Sequence, residues 1–311
     1  MKIAGSIVAL VTPIHDDKVD LPALQELVAW HSSEGTDGIV IVGSTGEGSL
    51  LSEEERIEVM STAVAQNRAL ANPMQTIAGC GTISTKETIN MVQHAEKCGV
   101  DAVMVVSPSY IRPSQEGLRQ HFGAVAQSVG IPVILYNHPG RTGVNVSNAT
   151  LVRICNENAN VVGIKDSNPD LSRIAELRAE LPARVSLLSG DDSINIGFLA
   201  QGGEGMVSVT ANLFPRLCKK FMQAWNGGDA GKAFAYHKGL LPVHKAMSCE
   251  SNPIAVVYGL STIKKGVHNE VRAPLLPIAK GSASAGVIDA AVQEVLQLQL
   301  KHEVANYKEV A

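Results

Sequence analysis

No cysteine of this sequence stands in a C-x-x-C pair, no histidines carry metal-binding spacing, and no apolar run is long enough for a membrane span. The five cysteines, Cys80, Cys98, Cys155, Cys218 and Cys249, are odd in number. That suits reduced, mostly buried thiols of a cytosolic protein and excludes a disulfide framework. The nine histidines show no H-x-H, H-x-x-x-H or H-E-x-x-H pattern, so no metal is expected. A membrane helix needs roughly 20 apolar residues. The apolar start, 3–13, has a single lysine before it and acidic residues after it, unlike a secretory signal. Lys and Arg cluster no further than the pairs Lys219-Lys220 and Lys264-Lys265. With 18% charged residues and a formal net charge of −4, there is no footprint for nucleic acid or a membrane surface. The cytoplasm is the expected location.

What is present is 311 residues, 45% of them hydrophobic, enough for one large core and a small appendage. Short Val/Ile-rich runs alternate with helical patterns, which points to βαβ units and a parallel sheet covered on both faces. Strands are expected at 6–11, 38–42, 76–78, 102–106, 133–136, 161–164, 185–188 and 206–209. Helices are expected at 21–34, 52–66, 85–98, 114–128, 147–156, 170–181, 192–201 and 214–226. Asp20, Ser52 with Glu55, Thr85 with Thr88, and Ser114 are the expected caps. Eight strand–helix pairs in 1–226 predict an α/β fold, a (β/α)₈ TIM barrel. A doubly wound open sheet would want a glycine-rich turn after the first strand, where Thr12-Pro13 stands. Beyond Asn226-Gly227-Gly228, a small C-terminal helical region is expected over 227–311, with helices near 229–245, 252–265 and 283–307.

Active sites of such barrels gather where strands end. Lys165 closes strand six, where desolvation of a lysine favours the neutral amine that attacks carbonyls. Tyr136 closes strand five and offers a phenol for proton transfer. The turn Gly43-Ser44-Thr45-Gly46-Glu47-Gly48 exposes backbone N–H groups and two hydroxyls, a nest for a carboxylate but not a phosphate loop. Arg141, after strand five, could clamp a second carboxylate. Tyr110 follows strand four, Gly190-Asp191-Asp192 follows strand seven, and Val207 lies on strand eight. Asp191 and Asp192 suit helix capping better than acid chemistry, and His138 suits a structural role.

Five segments occur in order at these strand ends: Gly43-Ser44-Thr45-Gly46-Glu47, Tyr136 to Gly143, Gly163-Ile164-Lys165, Leu188 to Asp192, and Ser208 to Asn212. Together they resemble the dihydrodipicolinate synthase / N-acetylneuraminate lyase family over nearly the whole chain. Arg112 to Gly117 and the Asn252-Pro253 pair resemble the synthase branch. The resemblance implies a class I aldolase-type lyase in which Lys165 forms a Schiff base with pyruvate and no cofactor takes part. It implies Tyr136 as the central proton donor and acceptor, linked by Ser44 to Tyr110 of a neighbouring subunit. It further implies a homotetramer built as a dimer of dimers. Thr45 would hold the pyruvate carboxylate, Gly190 and the Val207 backbone would line the substrate, and Arg141 would bind the carboxylate of L-aspartate 4-semialdehyde. Condensation of these substrates, on the lysine and diaminopimelate pathway, is the activity implied. The alternatives are another pyruvate-dependent aldolase, for N-acetylneuraminate, a 2-keto-3-deoxy sugar acid or 4-hydroxy-2-oxoglutarate, and a non-catalytic keto-acid-binding relative. The chain departs from the family pattern at Ser44, usually Thr, at Asp166-Ser167, usually of Glu-Ala type, and in its extension over 300–311. Lysine-sensitive members resemble one another in carrying histidines at the positions of Glu53 and Arg56, Asn at Ile83, Glu at Glu87 and Tyr at Ser109. Only Glu87 is kept here, so L-lysine is expected to inhibit weakly.

Overall fold

A computed structural model describes residues 2–309, with side chains over 2–299. Eight parallel strands close into a barrel: Gly5–Ala9, Gly38–Ile41, Gln75–Gly79, Ala102–Val106, Val133–Asn137, Val161–Asp166, Ser186–Ser189 and Gly205–Ser208. They follow one another around the ring in chain order, and the last pairs with the first, Ile7 opposite Val207. Period-two alternation sorts each apolar run between two cores. Ile7, Val40, Ile77, Ile134 and Val207 fill the barrel interior, while Val8, Ile39, Ile41, Val103 and Leu135 pack outward under the helices.

The helices of the ring are Leu21–Ser33, Glu53–Arg68, Thr85–Cys98, Gln115–Gln127, Asn148–Glu157, Ser172–Glu180, Asn195–Ala200 and Pro215–Asn226. Asp20, Ser52 and Ser114 cap as expected, Ser52 and Glu55 forming a full capping box. Two expectations are corrected. The third helix is capped by Ser84, whose hydroxyl accepts from the Glu87 N–H, not by Thr85. Thr85 already lies inside the helix, and its hydroxyl pairs with His121 Nδ1 at 2.9 Å. The single helix expected over 192–201 is a 3₁₀ turn, Asp192–Ile194, followed by Asn195–Ala200, because Asp191 and Asp192 spend their carboxylates on nearby backbone amides. A small antiparallel hairpin, Ile14–His15 with Lys18–Val19, and a helical turn, Pro139–Thr142, lie outside the sequence expectation.

The C-terminal helices are Ala230–Ala246, Ile254–Ile263 and Ala283–Glu309. Ile254–Ile263 packs on the Thr210–Asn212 turn that follows the last barrel strand, so the segment before it, with Asn252, reaches the C-terminal mouth of the barrel. No helix among the described residues is long and apolar enough to cross a membrane. Cys80, Cys155 and Cys218 are buried, Cys98 is half-buried and Cys249 exposed, and all five are free thiols.

Candidate active site

Strands five and six pair in parallel register with Tyr136 opposite Lys165 and Asn137 opposite Asp166. Alternation then aims Tyr136 and Lys165 inward and Asp166 outward. Both inward residues are 6% exposed, and Lys165 Nζ lies 4.1 Å from the centre of the Tyr136 ring. Asp166 is fully buried. It accepts from Asn137 Nδ2 at 3.2 Å and from the Asn168 N–H at 2.7 Å, and faces Arg173 Nη1 at 3.5 Å. Burial raises its carboxyl above the usual range, opposed by the Arg173 charge.

Lys165 and Tyr136 open into a cavity of about 210 Å³ with Ser44, Thr45, His138 and Arg141 on its wall. The glycine-rich turn is closed by the Gly48 N–H donating to Gly43 O. A β-carbon at Gly48 would lie 1.9 Å from Val42 O, and one at Gly46 2.9 Å from Leu10 O, so close approach of backbone dictates both glycines. Thr45 Oγ1 accepts from Asn252 Nδ2 at 3.0 Å, and the Thr12 hydroxyl donates to Gly46 O at 2.8 Å. Beneath the turn Glu47 is buried; one oxygen accepts the Arg272 N–H at 2.7 Å, and burial raises its carboxyl. The turn is thus anchored from below and presents its hydroxyls above.

Arg141 sits on the Pro139–Thr142 turn and donates through Nη2 to Asn252 O at 3.0 Å. On the opposite wall a β-carbon at Gly190 would stand 2.9 Å from Lys165 Cε and 2.1 Å from Ser167 Oγ, so only glycine leaves the lysine its place. Asp191 Oδ1 accepts from the Ser193 N–H at 2.9 Å, and Asp192 Oδ2 accepts from the Val209 and Thr210 N–H groups at 2.9 Å each. Asp191 caps the turn that follows it, as its setting suggested, whereas Asp192 lies inside that turn and ties it to the segment after the last strand.

Two further residues, Val207, expected to act through its backbone, and Tyr110, expected from a neighbouring subunit, are not on this cavity's wall. Val207 belongs to the apolar interior and Val209, beyond the strand's end, lines the cavity in its place. Tyr110 is 88% exposed and absent from its own chain's cavity wall. Ser167, also on the wall, was marked in the sequence only as a departure from the family pattern, and His244 and Ser248 carried no site signal there. Asn252 was visible only as part of a resembling pair. One group of potential metal ligands occurs among the described residues, His15, His268 and Glu270, away from the cavity wall. Its two imidazoles stack face to face at 3.7 Å and 8°, so their lone pairs run parallel instead of converging.

The dihydrodipicolinate synthetase family model matches residues 2–290. A 4-hydroxy-tetrahydrodipicolinate synthase of Acidiphilium cryptum is 43% identical over 281 residues, 89% of this chain and 94% of that one. The synthase of Brucella abortus is 39% identical over 303 residues, 97% and 99% of the two chains. Among solved structures, the synthase of Methylacidiphilum fumariolicum superposes with a TM-score of 0.92 at 37% identity, covering 97% of this chain and 99% of that one. The chloride-inhibited Acinetobacter baumannii enzyme complexed with pyruvate gives 0.90 at 38% identity, covering 94% and 99%.

The close approach at the turn predicts opposite outcomes for two glycine substitutions. Gly48→Ala should lower unfolding stability by about 1–3 kcal/mol, as overpacking does. Gly286→Ala, in a helix with nothing within 4 Å of the new methyl, should raise it by about 0.4–1 kcal/mol. Urea denaturation of both variants checks the pair.

Proposed function

The chain belongs to the dihydrodipicolinate synthetase family, and from that premise we propose that it condenses pyruvate with L-aspartate 4-semialdehyde, the reaction of a 4-hydroxy-tetrahydrodipicolinate synthase, through a Schiff base on Lys165. It is a class I aldolase-type lyase. The observation that carries the reading is one cavity holding the Lys165 amine over the Tyr136 ring, with the carboxylate-binding turn and Arg141 on the same wall. The backbone and hydroxyls of Ser44 and Thr45 hold the pyruvate carboxylate. The Lys165 amine attacks the pyruvate C2 carbonyl, water leaves, and Tyr136 carries protons to and from the carbinolamine. Loss of a methyl proton gives the enamine, whose carbon attacks the aldehyde. Arg141 holds the carboxylate of that second substrate in a charge-assisted contact. The substrate amine then displaces Lys165 from C2, which closes the ring and frees the enzyme. No resident cofactor has a part in these steps. The reacting groups lie in the barrel domain, 1–226, and the C-terminal helical region, 227–311, is read as a small appendage that contributes Asn252 to the mouth. The reaction belongs to lysine and diaminopimelate synthesis on metabolites of the cytoplasm.

Tyr110 enters this scheme from a second copy of the chain. Its ring is 88% exposed and its backbone left-handed, with φ 69°. The assembly proposed is a dimer across this face, doubled to a homotetramer, in which Ser44 passes protons between Tyr136 and the neighbour's Tyr110.

Borohydride reduction in the presence of pyruvate should leave one reduced pyruvyl unit, mapped by peptide mass spectrometry to Lys165 and missing in Lys165→Ala. Tyr136→Phe should lower turnover by roughly 10²–10⁴. A label on another lysine removes the assignment. Mixed Tyr110→Phe and Lys165→Ala chains should regain activity as hybrids form; none regained after demonstrated subunit exchange would put Tyr110 outside the relay. L-lysine should inhibit weakly, because on the neighbouring cavity of about 630 Å³ Ile83 cannot hydrogen-bond and Ser109 is too short to reach where a tyrosine hydroxyl would. Strong inhibition in initial-rate assays at sub-millimolar lysine would contradict this.

A further inference from the structure

Three polar atoms on the cavity wall are buried without a hydrogen-bond partner: Ser167 Oγ, Asn252 Oδ1 and His138 Nδ1. A buried polar group left unpaired costs about 1–3 kcal/mol, so such atoms mark places where a ligand completes the bonding. Their positions differ. Ser167 Oγ lies against Gly190 beside Lys165 Cε, at the imine end. Asn252 Oδ1 belongs to the amide whose nitrogen reaches Thr45, at the pyruvate-carboxylate end. His138 opens the turn that carries Arg141, and its carbonyl accepts the Arg141 N–H at 3.0 Å. Its imidazole tilts over Tyr136, 5.7 Å between ring centres.

On the reading that L-aspartate 4-semialdehyde is the second substrate, we propose that the His138 imidazole is the hydrogen-bond acceptor for that substrate's α-ammonium group. The α-ammonium and the α-carboxylate share one carbon, so whatever receives the ammonium must stand beside the residue that clamps the carboxylate. His138 stands beside Arg141. An ammonium entering this cavity meets the Arg141 guanidinium and needs a lone pair to offset it. Of the two carboxylates on the wall, Asp192 is spent at both oxygens, on Asn195 Nδ2 and two backbone amides, and Asp191 at Oδ1, on the Ser193 amide and hydroxyl; neither belongs to the turn that carries Arg141. His138 is kept neutral and therefore able to accept. Burial first, then the Arg141 and Lys165 charges, bring its pKa down to about 4 against the opposing pull of its own backbone carbonyl and of Asp191. His138 is thus a binding residue that selects an amino aldehyde over its desamino counterpart.

The test compares L-aspartate 4-semialdehyde with succinate semialdehyde, which has the same aldehyde and carboxylate but no amine. Wild-type turnover of aspartate semialdehyde is measured first; its absence removes the proposed reaction itself, before any variant is read. Given that turnover, His138→Val should raise KM for aspartate semialdehyde by about 10- to 100-fold, the range of a lost charge-assisted bond. KM for pyruvate, borohydride labelling of Lys165 and the inhibition constant of succinate semialdehyde should each stay within about threefold. His138→Gln, which restores an acceptor oxygen, should recover much of the affinity. If His138→Val does not fold, His138→Ala is read by the same ratio of the two aldehydes. Equal weakening of both aldehydes, or an unchanged KM for aspartate semialdehyde, would overturn the proposal.

Discussion

The chemistry depends first on the register between strands five and six. A slip of one residue would turn Lys165 outward and bring Asp166 into the barrel, because side chains alternate along a strand. The register places Asp166 where it is fully buried, and a buried carboxylate is tolerable only with partners. Arg173 is that partner, itself buried, and it also donates to Asn145 Oδ1, Asn148 Oδ1 and Val146 O. Asn137, opposite Asp166, spends its amide on Asp166 and Asn145 and its oxygen on the Val146 N–H. A shifted strand would leave this whole set unpaired, and breaking such a buried pair typically costs about 3–5 kcal/mol. The polar cluster just outside the barrel wall therefore sets which strand face the lysine occupies.

A second lock joins the C-terminal region to the carboxylate turn. Arg272 gives its backbone N–H to Glu47 and its Nη2 to Glu55 at 2.5 Å, and its Nε stands 3.2 Å from the Asp17 carboxylate as a charge pair. Glu55 is also the acidic half of the capping box that starts the helix after the turn. One arginine thus fixes the underside of the turn, the start of the following helix and the small N-terminal hairpin together. Left-handed backbone at Val42 and Glu47, φ 51° and 54°, is held in place by this anchoring.

This division explains what the sequence could reveal. The eight strands were legible because burial on both faces leaves plain apolar runs, and Lys165 and Tyr136 because they end such runs. Arg141 and the glycine turn were legible as loop chemistry adjoining strand ends. Val209 was not legible, because a strand's last inward residue and the first residues past its end look alike in sequence, while the bend into the Thr210–Asn212 turn brings Val209 to the wall. His244, Ser248 and Asn252 come from segments more than 75 residues past Lys165, and no local periodicity announces where a helical region folds back. His138 was visible but ambiguous: a histidine in a loop reads the same whether its ring nitrogen meets a backbone carbonyl or an empty space. The cap at Ser84 in place of Thr85 is the smallest such case, two adjacent hydroxyls of which only one precedes Glu87 by three.

The same physics bears on whether one chain is a complete enzyme. Tyr110 and Arg112 both hold left-handed backbone, φ 69° and 46°, a conformation that costs about 1–3 kcal/mol at a non-glycine residue. In the isolated chain that strain serves to hold a large aromatic ring in water. Ile83 and Ile111 are also half exposed, at 50% and 53%, and Ile83 lines the larger cavity that shares Ser44 and Arg141 with the reacting one. Exposed apolar side chains bordering a functional cavity are what an interface between copies requires, and burying them would offset the backbone strain. In the proposed dimer the strained loop becomes the arm that carries Tyr110 into a neighbour's site, so the conformation that looks unfavourable in one chain is the one that completes two.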